Sequence, residues 1–308
     1  MDTPYRTLSA FYKDKFGKRV YKLPIDGGFS CPNRNKNDGI RGCIFCNEQG
    51  SGEHTNKGDI INQVKLGINF AVLSNKGELF IAYFQNFTNT FAPVDVLKEK
   101  YYSAFIDDRI VGISIATRPD CINEDVCKLL KEISKTHYVT VELGLQTASD
   151  LTANAINRGY KSQIYLDAVK MLKSFDIDFV CHLIVGLPNE TISDIAKTVD
   201  FINILPPNGV KIHSLYVLKD TPLGEMYLNN KYTPITREYY LEAVSYILTH
   251  IPKDVVVHRL TGDGEKDKIL APNWTKEKKK NLNAIFNYMT KNNLQQGCFY
   301  KNNSIRTP

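Results

Sequence analysis

Residues 19–47 read RVYKLPIDGGFSCPNRNKNDGIRGCIFCN, and this stretch joins a predicted strand to a loop that carries three cysteines. The short, largely apolar run at 19–25 is typical of a β-strand. Glycines and a proline punctuate the rest, so Cys31, Cys43 and Cys46 are expected on a loop and not inside an apolar element. The sequence therefore predicts a strand that leads directly into a group of thiols.

Three interpretations of these thiols compete. Buried free cysteines behave as small hydrophobes, but they usually lie within apolar strands or helices. The pair Cys43-x2-Cys46 also matches a zinc knuckle, for which Cys31 and His54 are the nearest further ligands. The third interpretation is a 4Fe-4S cluster, in which three thiolates leave one iron open to a substrate or cofactor. Spacing alone leaves the zinc site and the cluster both open.

Apolar runs alternate with amphipathic segments along the chain. The predicted strands are 19–25, 78–84, 110–116, 138–145, 178–185 and 210–218. The predicted helices are 59–73, 94–105, 123–136, 163–175 and 192–204, and Asn123 is in place to cap the third of these. Strands that alternate with helices form right-handed crossovers and a parallel sheet, and repeated crossovers of one hand curl that sheet into a full or partial barrel.

In a barrel of this kind the loops that follow the strands carry the functional site. The Cys loop follows the first strand, and polar segments follow the later ones. These segments are QNFTNT at 85–90, TRPD at 117–120, ELGLQT at 142–147 and HLIVGLPNE at 182–190. We therefore expect their side chains to converge on the three thiols at the carboxyl ends of the strands.

The composition indicates a globular protein that works in a reducing compartment. With 308 residues and 43% hydrophobic content, the chain can bury one large core with an appendage. No segment approaches the ~20 apolar residues of a membrane span, and the first residues lack an apolar signal region. Seven cysteines are an odd number for a disulfide framework, which favours the cytoplasm. We expect a basic and aromatic segment at 1–18, the barrel at 19–218 and an extension at 219–308.

At this point the chain resembles the radical S-adenosylmethionine (SAM) superfamily. More narrowly, it resembles the YhcC/YtqA-type family, which is related to the radical SAM domain of the Elongator complex's catalytic subunit. The residues that carry the resemblance are Cys31-x11-Cys43-x2-Cys46, TRPD at 117–120, ELGLQ at 142–146, NRG at 157–159, HLIVGLP at 182–188, HRLTGDG at 258–264 and APNW at 271–274. Their order and spacing, taken together, are specific and span nearly the whole chain.

The resemblance implies a partial (β/α)6 TIM-like radical SAM barrel with a C-terminal α/β extension. It also implies one 4Fe-4S cluster on Cys31, Cys43 and Cys46, with SAM bound to the open iron and cleaved reductively to a 5'-deoxyadenosyl radical. Two features depart from the common pattern. Most radical SAM enzymes space their ligands as Cys-x3-Cys-x2-Cys, and their Gly-Gly-Glu segment after the second strand is replaced here by Tyr83-Phe84-Gln85-Asn86.

Roles for individual residues follow from the same resemblance. The expected cofactor-binding residues are Phe45, Gln85, Glu142, Gln146, Arg158, Ile184, Gly186 and Leu187. Among these, Glu142 and Gln146 are expected to hold ribose hydroxyls, and Arg158 is expected to pair with the methionine carboxylate. His182, Arg118 and Asp120 are the candidate catalytic residues. His182 is the most suggestive of them, because a titratable group inside an apolar strand needs a partner.

The expected substrate is tRNA, because related families act on its wobble uridine. Basic and aromatic residues alternate in the first 22 positions, and a second basic run occupies 276–280, as phosphate contacts and base stacking require. A cellular electron donor such as flavodoxin or ferredoxin is the other expected partner, and no membrane is expected. A radical SAM enzyme that acts on a small metabolite and a non-catalytic metal-binding or redox-sensing protein remain as alternatives.

Overall fold

The computed structural model of the protein describes residues 3–34, 42–48, 50, 55, 58–262 and 264–301. His54, the expected fourth ligand of a zinc site, and Asp263 of the HRLTGDG segment lie outside these residues. The strands are β1 (Val20–Ile25), β2 (Leu79–Phe84), β3 (Ile110–Thr117), β4 (Tyr138–Gln146), β5 (Asp178–Val185), β6 (Gly209–Ser214), β7 (Val217–Leu218), β8 (Val256–Arg259) and β9 (Ile269–Ala271). The helices are α1 (Leu8–Phe16), α2 (Ile60–Leu73), α3 (Val94–Tyr102), α4 (Glu124–Ser134), α5 (Asp150–Ala155), α6 (Ser162–Ser174), α7 (Ile192–Ile202), α8 (Pro222–Leu228), α9 (Arg237–His250) and α10 (Lys278–Lys291).

One parallel sheet organises the molecule. Its strands lie in the order β1-β2-β3-β4-β5-β6-β8, and every neighbouring pair is parallel. Helices form the crossovers between successive strands, as a parallel sheet requires. The sheet curls into a partial barrel of the expected α/β class, and the predicted fold is confirmed. No helix in the described ranges combines the length and the apolar content needed to cross a membrane.

The predicted elements agree with the observed ones where a strong period or a capping residue marks them. The first five strands begin and end within one residue of their predicted limits. Asn123 caps α4 as expected, because its side chain accepts a hydrogen bond from the Val126 amide. The sixth predicted strand, 210–218, is divided in the structure: β6 ends at Ser214, and β7 pairs with β9 outside the main sheet. The seventh strand of the sheet, β8, was not predicted.

Helix α1 covers the end of the sheet opposite to the post-strand loops. Tyr12 is 2% exposed, and the rings of Phe11 and Phe16 pack against Tyr138, the first residue of β4. Thr7 forms a parallel bridge to Val257 in β8. The expectation that this segment stacks on RNA bases is wrong for Tyr12, because its ring is already buried in the protein.

A second, smaller core lies beneath the Cys loop. Its centre is Ile44, which packs in one cluster with Ile156, Leu187, Leu215 and Leu223. The Ile44 amide donates to the carbonyl oxygen of Ile156, and its own carbonyl oxygen accepts from the Leu223 amide. Because Ile44 lies between Cys43 and Cys46, this apolar anchor fixes the position of both thiols relative to the barrel.

The large core predicts a clear difference between two phenylalanines near the site. Phe84 is fully buried at the end of β2 with its ring edge against Tyr101, whereas Phe91 is 44% exposed. We expect Phe84→Ala to lower the free energy of unfolding by about 3–5 kcal/mol, because it leaves a cavity. We expect Phe91→Ala to lower it by less than about 0.5 kcal/mol. Urea unfolding measures both, and similar losses for the two variants would contradict this packing.

Candidate active site

A cavity of about 240 Å3 opens at the carboxyl ends of the strands, where the sequence predicts the site. All three cysteines of the loop line it, so the thiols share one space. Most of the other predicted site residues line it as well, namely Phe45, Gln85, Arg118, Glu142, Gln146, Arg158, His182 and Ile184. Asp120, Gly186 and Leu187 do not line it. The post-strand segments therefore meet at the Cys loop.

The close pair of cysteines belongs to a tight turn, in which the Cys46 amide donates to the carbonyl oxygen of Cys43 at 3.0 Å. Burial, together with the neighbouring thiols of Cys46 and Cys31, raises the pKa of the Cys43 thiol to about 12. Thiols that crowd one another in a buried site ionise only when a cation binds them. This donor set therefore fits an iron-sulfur group, whose positive irons stabilise the thiolates.

The geometry also bears on the zinc interpretation. Among the described residues, no three His, Cys, Asp or Glu side chains converge closely enough to hold a single metal ion. A zinc ion needs its ligands within about 2.0–2.3 Å of one centre. In a cluster each thiolate binds a different iron, so three protein thiolates are enough to hold it. A zinc site needs a fourth ligand, for which the sequence offers His54, outside the described residues.

The NRG segment at 157–159 docks against the Cys loop. The Asn157 side chain donates to the carbonyl oxygen of Gly42 at 2.7 Å, and Asn33 donates to the carbonyl oxygen of Asn157 at 2.6 Å. A Cβ atom at Gly159 would lie 2.4 Å from Oδ1 of Asn33, so only glycine permits this approach. Asn33 Nδ2 also lies 3.6 Å from the Cys43 sulfur. The segment consequently acts as a support for the thiols.

The Arg158 side chain binds backbone groups at the carboxyl end of β4 and has no free N–H group for a ligand. Its five N–H groups are engaged by protein acceptors, which are the carbonyl oxygens of Leu145, Thr147 and Tyr160 and the hydroxyl of Ser162. The side chain is 1% exposed. The expected contact to a methionine carboxylate would require Arg158 to give up bonds that organise the loop. We therefore read Arg158 as a residue that positions this loop.

Arg118 and Asp120 form an ion pair beside the thiols. The guanidinium makes two contacts to the carboxylate, at 2.9 and 2.6 Å, and its third nitrogen donates to the carbonyl oxygen of Arg158. Arg118 also lies 4.8 Å above the Tyr160 ring. Its positive charge lowers the pKa of Cys43, although burial outweighs this effect. The pair shapes the thiol end of the cavity and supplies a cation there.

Gln146 and Tyr160 meet at the carboxyl end of β4. Gln146 adopts a positive φ of 62°, at an irregularity in the pairing of β4 with β5. The Tyr160 hydroxyl donates to the carbonyl oxygen of Gly144. A Cβ atom at Gly144 would lie 2.5 Å from the Gln146 side-chain amide, which would have to shift to make room for it. At this bend Gln146 lines the cavity.

Glu142 is the centre of a buried polar network inside the barrel. The carboxylate is 1% exposed, and both oxygens are fully engaged. The donors and their distances are Lys22 Nζ at 2.5 Å, Ser114 Oγ at 2.9 Å, Tyr83 OH at 2.9 Å, His182 Nε2 at 2.8 Å and Lys211 Nζ at 2.9 Å. His258 Nδ1 lies 4.0 Å away. One carboxylate therefore contacts a side chain from each of the other six strands of the sheet.

The charges in this network are strongly coupled. Burial raises the pKa of Glu142, but Lys211, Lys22 and His182 lower it by more, and the carboxylate stays ionised. Burial lowers the pKa of Lys211 to about 8, despite the favourable contact with Glu142. Burial also lowers the pKa of His182 to about 4, so its imidazole is neutral at pH 7. The partner that the sequence demands for His182 is thus Glu142.

Two lysines of this network were missed in the sequence. Lys22 lies inside the apolar strand β1, and Lys211 lies between two buried apolar residues of β6, Val210 and Ile212. Strands of a parallel sheet are covered on both faces, so a charged side chain within one needs a buried partner. The signal that singles out His182 in the sequence therefore also selects these two lysines.

Two family models match the chain. The radical SAM superfamily model matches residues 40–202, and the radical SAM C-terminal domain model matches residues 207–291. The first of these covers the second half of the Cys loop and strands β2 to β5. The second covers β6 and β8, so both matched regions contribute strands to the same sheet.

Individual relatives agree with these matches. YtqA of Bacillus subtilis is 39% identical over 299 residues, which is 96% of this chain and 93% of that protein. The tRNA uridine(34) acetyltransferase of Methanocaldococcus infernus is 29% identical over 62% of this chain and 35% of its own length. The solved structure of the Elp3 protein from that archaeon, with an N-terminal deletion, aligns with a TM-score of 0.65 at 21% identity. That alignment covers 77% of this chain and 60% of the other, and it confirms the fold.

The network around Glu142 predicts a large effect for a small substitution. Glu142→Gln keeps the shape but leaves the Lys22 and Lys211 ammonium groups without a counter-charge. Because removing one partner of a buried ion pair leaves an uncompensated charge, we expect a loss of about 3–5 kcal/mol in the free energy of unfolding. The control is Glu132→Gln, which breaks an exposed pair with Lys98 and is expected to cause no measurable loss. Equal unfolding midpoints in urea for Glu142→Gln and the wild type would contradict the proposed network.

Proposed function

The chain belongs to the radical SAM superfamily, and from that membership we propose that it is an enzyme that reductively cleaves SAM at a 4Fe-4S cluster. In this proposal Cys31, Cys43 and Cys46 are the cluster ligands. The chemistry that the bound cluster and SAM supply is a one-electron reduction that yields a 5'-deoxyadenosyl radical. The protein contributes binding, orientation and protection of that radical.

The observation that carries the proposal is the number of thiols in the cavity. Three cysteines line it, and no other cysteine in the described part of the chain does. A cluster held by four protein thiolates suits electron transfer, whereas three leave one iron for a ligand that reacts. The cavity beside the thiols gives that ligand a place to bind.

The residues that line the cavity suggest how this chain binds SAM. Gln146 offers an amide to ribose hydroxyls, and Phe45 and Ile184 offer apolar surface to the adenine. Gln85, at the end of β2, is available for the methionine amino group. Gly186 has a φ of 100° and lets the chain turn after β5. Leu187 packs in the same apolar cluster as Ile44. Because Glu142 and Arg158 are saturated by protein contacts, we assign them positioning roles.

His182, Arg118 and Asp120 receive different roles in this proposal. His182 is neutral and lines the cavity with one ring nitrogen already engaged by Glu142, so its ring is held rigidly toward the reacting groups. Arg118, fixed by Asp120, holds positive charge at the thiol end. A radical on a primary carbon attacks whatever lies within about 3–3.5 Å, so a rigid wall decides which hydrogen is abstracted.

Cleavage of SAM tests the proposal directly. We expect the anaerobically reconstituted wild type, reduced chemically, to form 5'-deoxyadenosine, and Cys43→Ser to form it only at background level, because one cluster ligand is lost. Cys298→Ser is the matched control, since Cys298 is exposed and lies outside the cavity. Liquid chromatography quantifies the nucleoside. Equal yields from the wild type and Cys43→Ser would refute the assignment of the cluster.

We further propose that the substrate is a tRNA wobble uridine and that flavodoxin or ferredoxin supplies the electron. The matched relative whose name specifies tRNA uridine(34) supports the first part. A basic patch formed by Lys278, Lys279 and Lys280 supports it too, because all three are exposed at the start of α10. Trp274, just before α10, donates to the carbonyl oxygen of Ile235, which packs against Gly186 at the carboxyl end of β5. The segment before α10 is thus connected to the carboxyl end of β5, and we infer that single-stranded RNA approaches the cavity from this side.

The nucleoside content of cellular tRNA tests the substrate. We compare strains that carry the wild-type gene, Cys43→Ser, or Cys298→Ser, and measure modified nucleosides by mass spectrometry. We expect one modified uridine to disappear in the Cys43→Ser strain alone, with its precursor accumulating. Identical profiles in the three strains would eliminate tRNA and favour a small metabolite as the substrate, while leaving the cleavage of SAM untouched.

A further inference from the structure

Arg259, the last residue of β8, is a cation to which the described residues supply no counter-ion. It lines the same cavity as the thiols, and it is half-buried. Within the described ranges, no carboxylate lies within ion-pair distance of its guanidinium, and no side chain or carbonyl accepts a hydrogen bond from it. A guanidinium taken partly out of water gains a great deal from a carboxylate or phosphate partner.

The charge balance around Arg259 is uneven. Lys211 and Arg259 line this end of the cavity, and Lys22 binds Glu142 beside them. Glu142 is the single carboxylate among the described residues that line the cavity. Both oxygens of Glu142 are already used by five donors, so Glu142 has no capacity left for Arg259. Three positive charges against one negative charge leave an excess that a bound anion would neutralise.

Two side chains near Arg259, those of Lys211 and His213, offer further hydrogen-bond donors. Lys211 directs two of its three N–H groups to Glu142 and to the Tyr83 hydroxyl, which leaves one for a ligand. His213 lines the cavity and forms no hydrogen bond to any described residue. Burial keeps the pKa of His213 well below its ordinary value, so its ring is neutral with one N–H to donate. Lys211 and His213 belong to β6, and Arg259 belongs to the adjacent strand β8.

We propose that Arg259, Lys211 and His213 form a subsite for a terminal oxyanion on the substrate. The guanidinium binds the anion through two parallel N–H groups, and Lys211 and His213 each donate one hydrogen bond. The inference rests on the proposed function, because it names a feature of the molecule that the radical attacks. It narrows that molecule to one whose buried portion ends in a carboxylate or a phosphate monoester.

The subsite is distinct from the end of the cavity that faces the thiols. The charge of Arg118 lowers the pKa of the Cys43 thiol. The charge of Arg259 instead lowers the pKa values of Tyr83, Lys211 and His213. In the proposed function, Cys31, Cys43 and Cys46 would hold the cluster, and SAM would bind beside them at the Arg118 end. The Arg259 end is left for the second reactant.

The position of the subsite also limits what can reach it. Lys211, His213 and Arg259 belong to strands of the barrel, so an anion must enter the barrel to meet them. A terminal group can enter the barrel first and alone. An internal phosphodiester carries a nucleotide on each side, and both would have to enter the barrel with it. For an RNA substrate, the anion is therefore carried by the modified base.

Calorimetric titration tests this subsite without turnover. Malonate, and separately inorganic phosphate, is titrated into the cluster-loaded enzyme in the presence of saturating SAM, at constant ionic strength. We expect one of these anions to bind the wild type, and to bind Arg259→Gln more than about tenfold more weakly. Arg259→Lys keeps the positive charge but lacks the two parallel N–H groups of the guanidinium, so its affinity for the anion is expected to lie between those of the wild type and Arg259→Gln. Arg237→Gln, which alters a surface pair with Glu277, is the control and should bind like the wild type.

Each outcome of the titration has a defined meaning. Preference for malonate indicates a carboxylate on the substrate, and preference for phosphate indicates a phosphate monoester. Equal binding by the wild type and Arg259→Gln would overturn the proposal. So would an anion that binds in a parallel titration without SAM but not with saturating SAM, because Arg259 would then be a ligand of the methionine carboxylate. Formation of 5'-deoxyadenosine is measured on the same wild-type sample. Anion binding without that nucleoside would refute the proposed reaction and leave the subsite intact.

Discussion

The buried carboxylate of Glu142 is the constraint on which the rest of the site depends. It draws together side chains from β1, β2, β3, β5 and β6, and His258 of β8 lies beside it. The hydrogen bonds of a parallel sheet fix the spacing of neighbouring strands, but they do not fix how strongly the sheet curls. The Glu142 carboxylate limits the curl, because Lys22 of β1 and Lys211 of β6 must both stay within hydrogen-bond distance of it. The partial barrel is closed around a charge as well as around an apolar core.

A second anchor, the apolar cluster around Ile44, sets the thiols against this scaffold. Ile44 packs beneath the loop, and the contact between Asn33 and Asn157 ties the loop to the chain that follows β4. Arg158 then connects that chain to the carboxyl end of β4, four residues beyond Glu142. The thiols and the polar network are therefore linked through β4. A disturbance at Glu142 would reach the Cys loop by this route.

Much of this arrangement was accessible from the sequence, because local patterns report local structure. The alternation of strands and helices and the cap at Asn123 predicted the sheet, and the order of the motifs predicted where the site lies. Pairings between distant strands left no such trace. Lys211 and Arg259 are neighbours because β8 pairs with β6 in the sheet. The sequence does not predict this pairing, because β8 is too short for its alternation of side chains to be distinctive. The protein contacts of Arg158 and Tyr12 left no trace for a related reason, since an arginine or a tyrosine looks the same in sequence whether it meets a ligand or the protein itself.

The two halves of the cavity carry positive charge for different reasons. At the thiol end, Arg34 and Arg118 lie beside groups that become anionic when a cluster binds, so their charge is compensated there. At the other end, Lys211 already shares its charge with Glu142, and replacing it would disturb the scaffold as well as any ligand. Arg259 has no part in that scaffold, because no described residue accepts a hydrogen bond from it. Arg259 is therefore the residue through which recognition of the substrate can be separated from stability of the barrel.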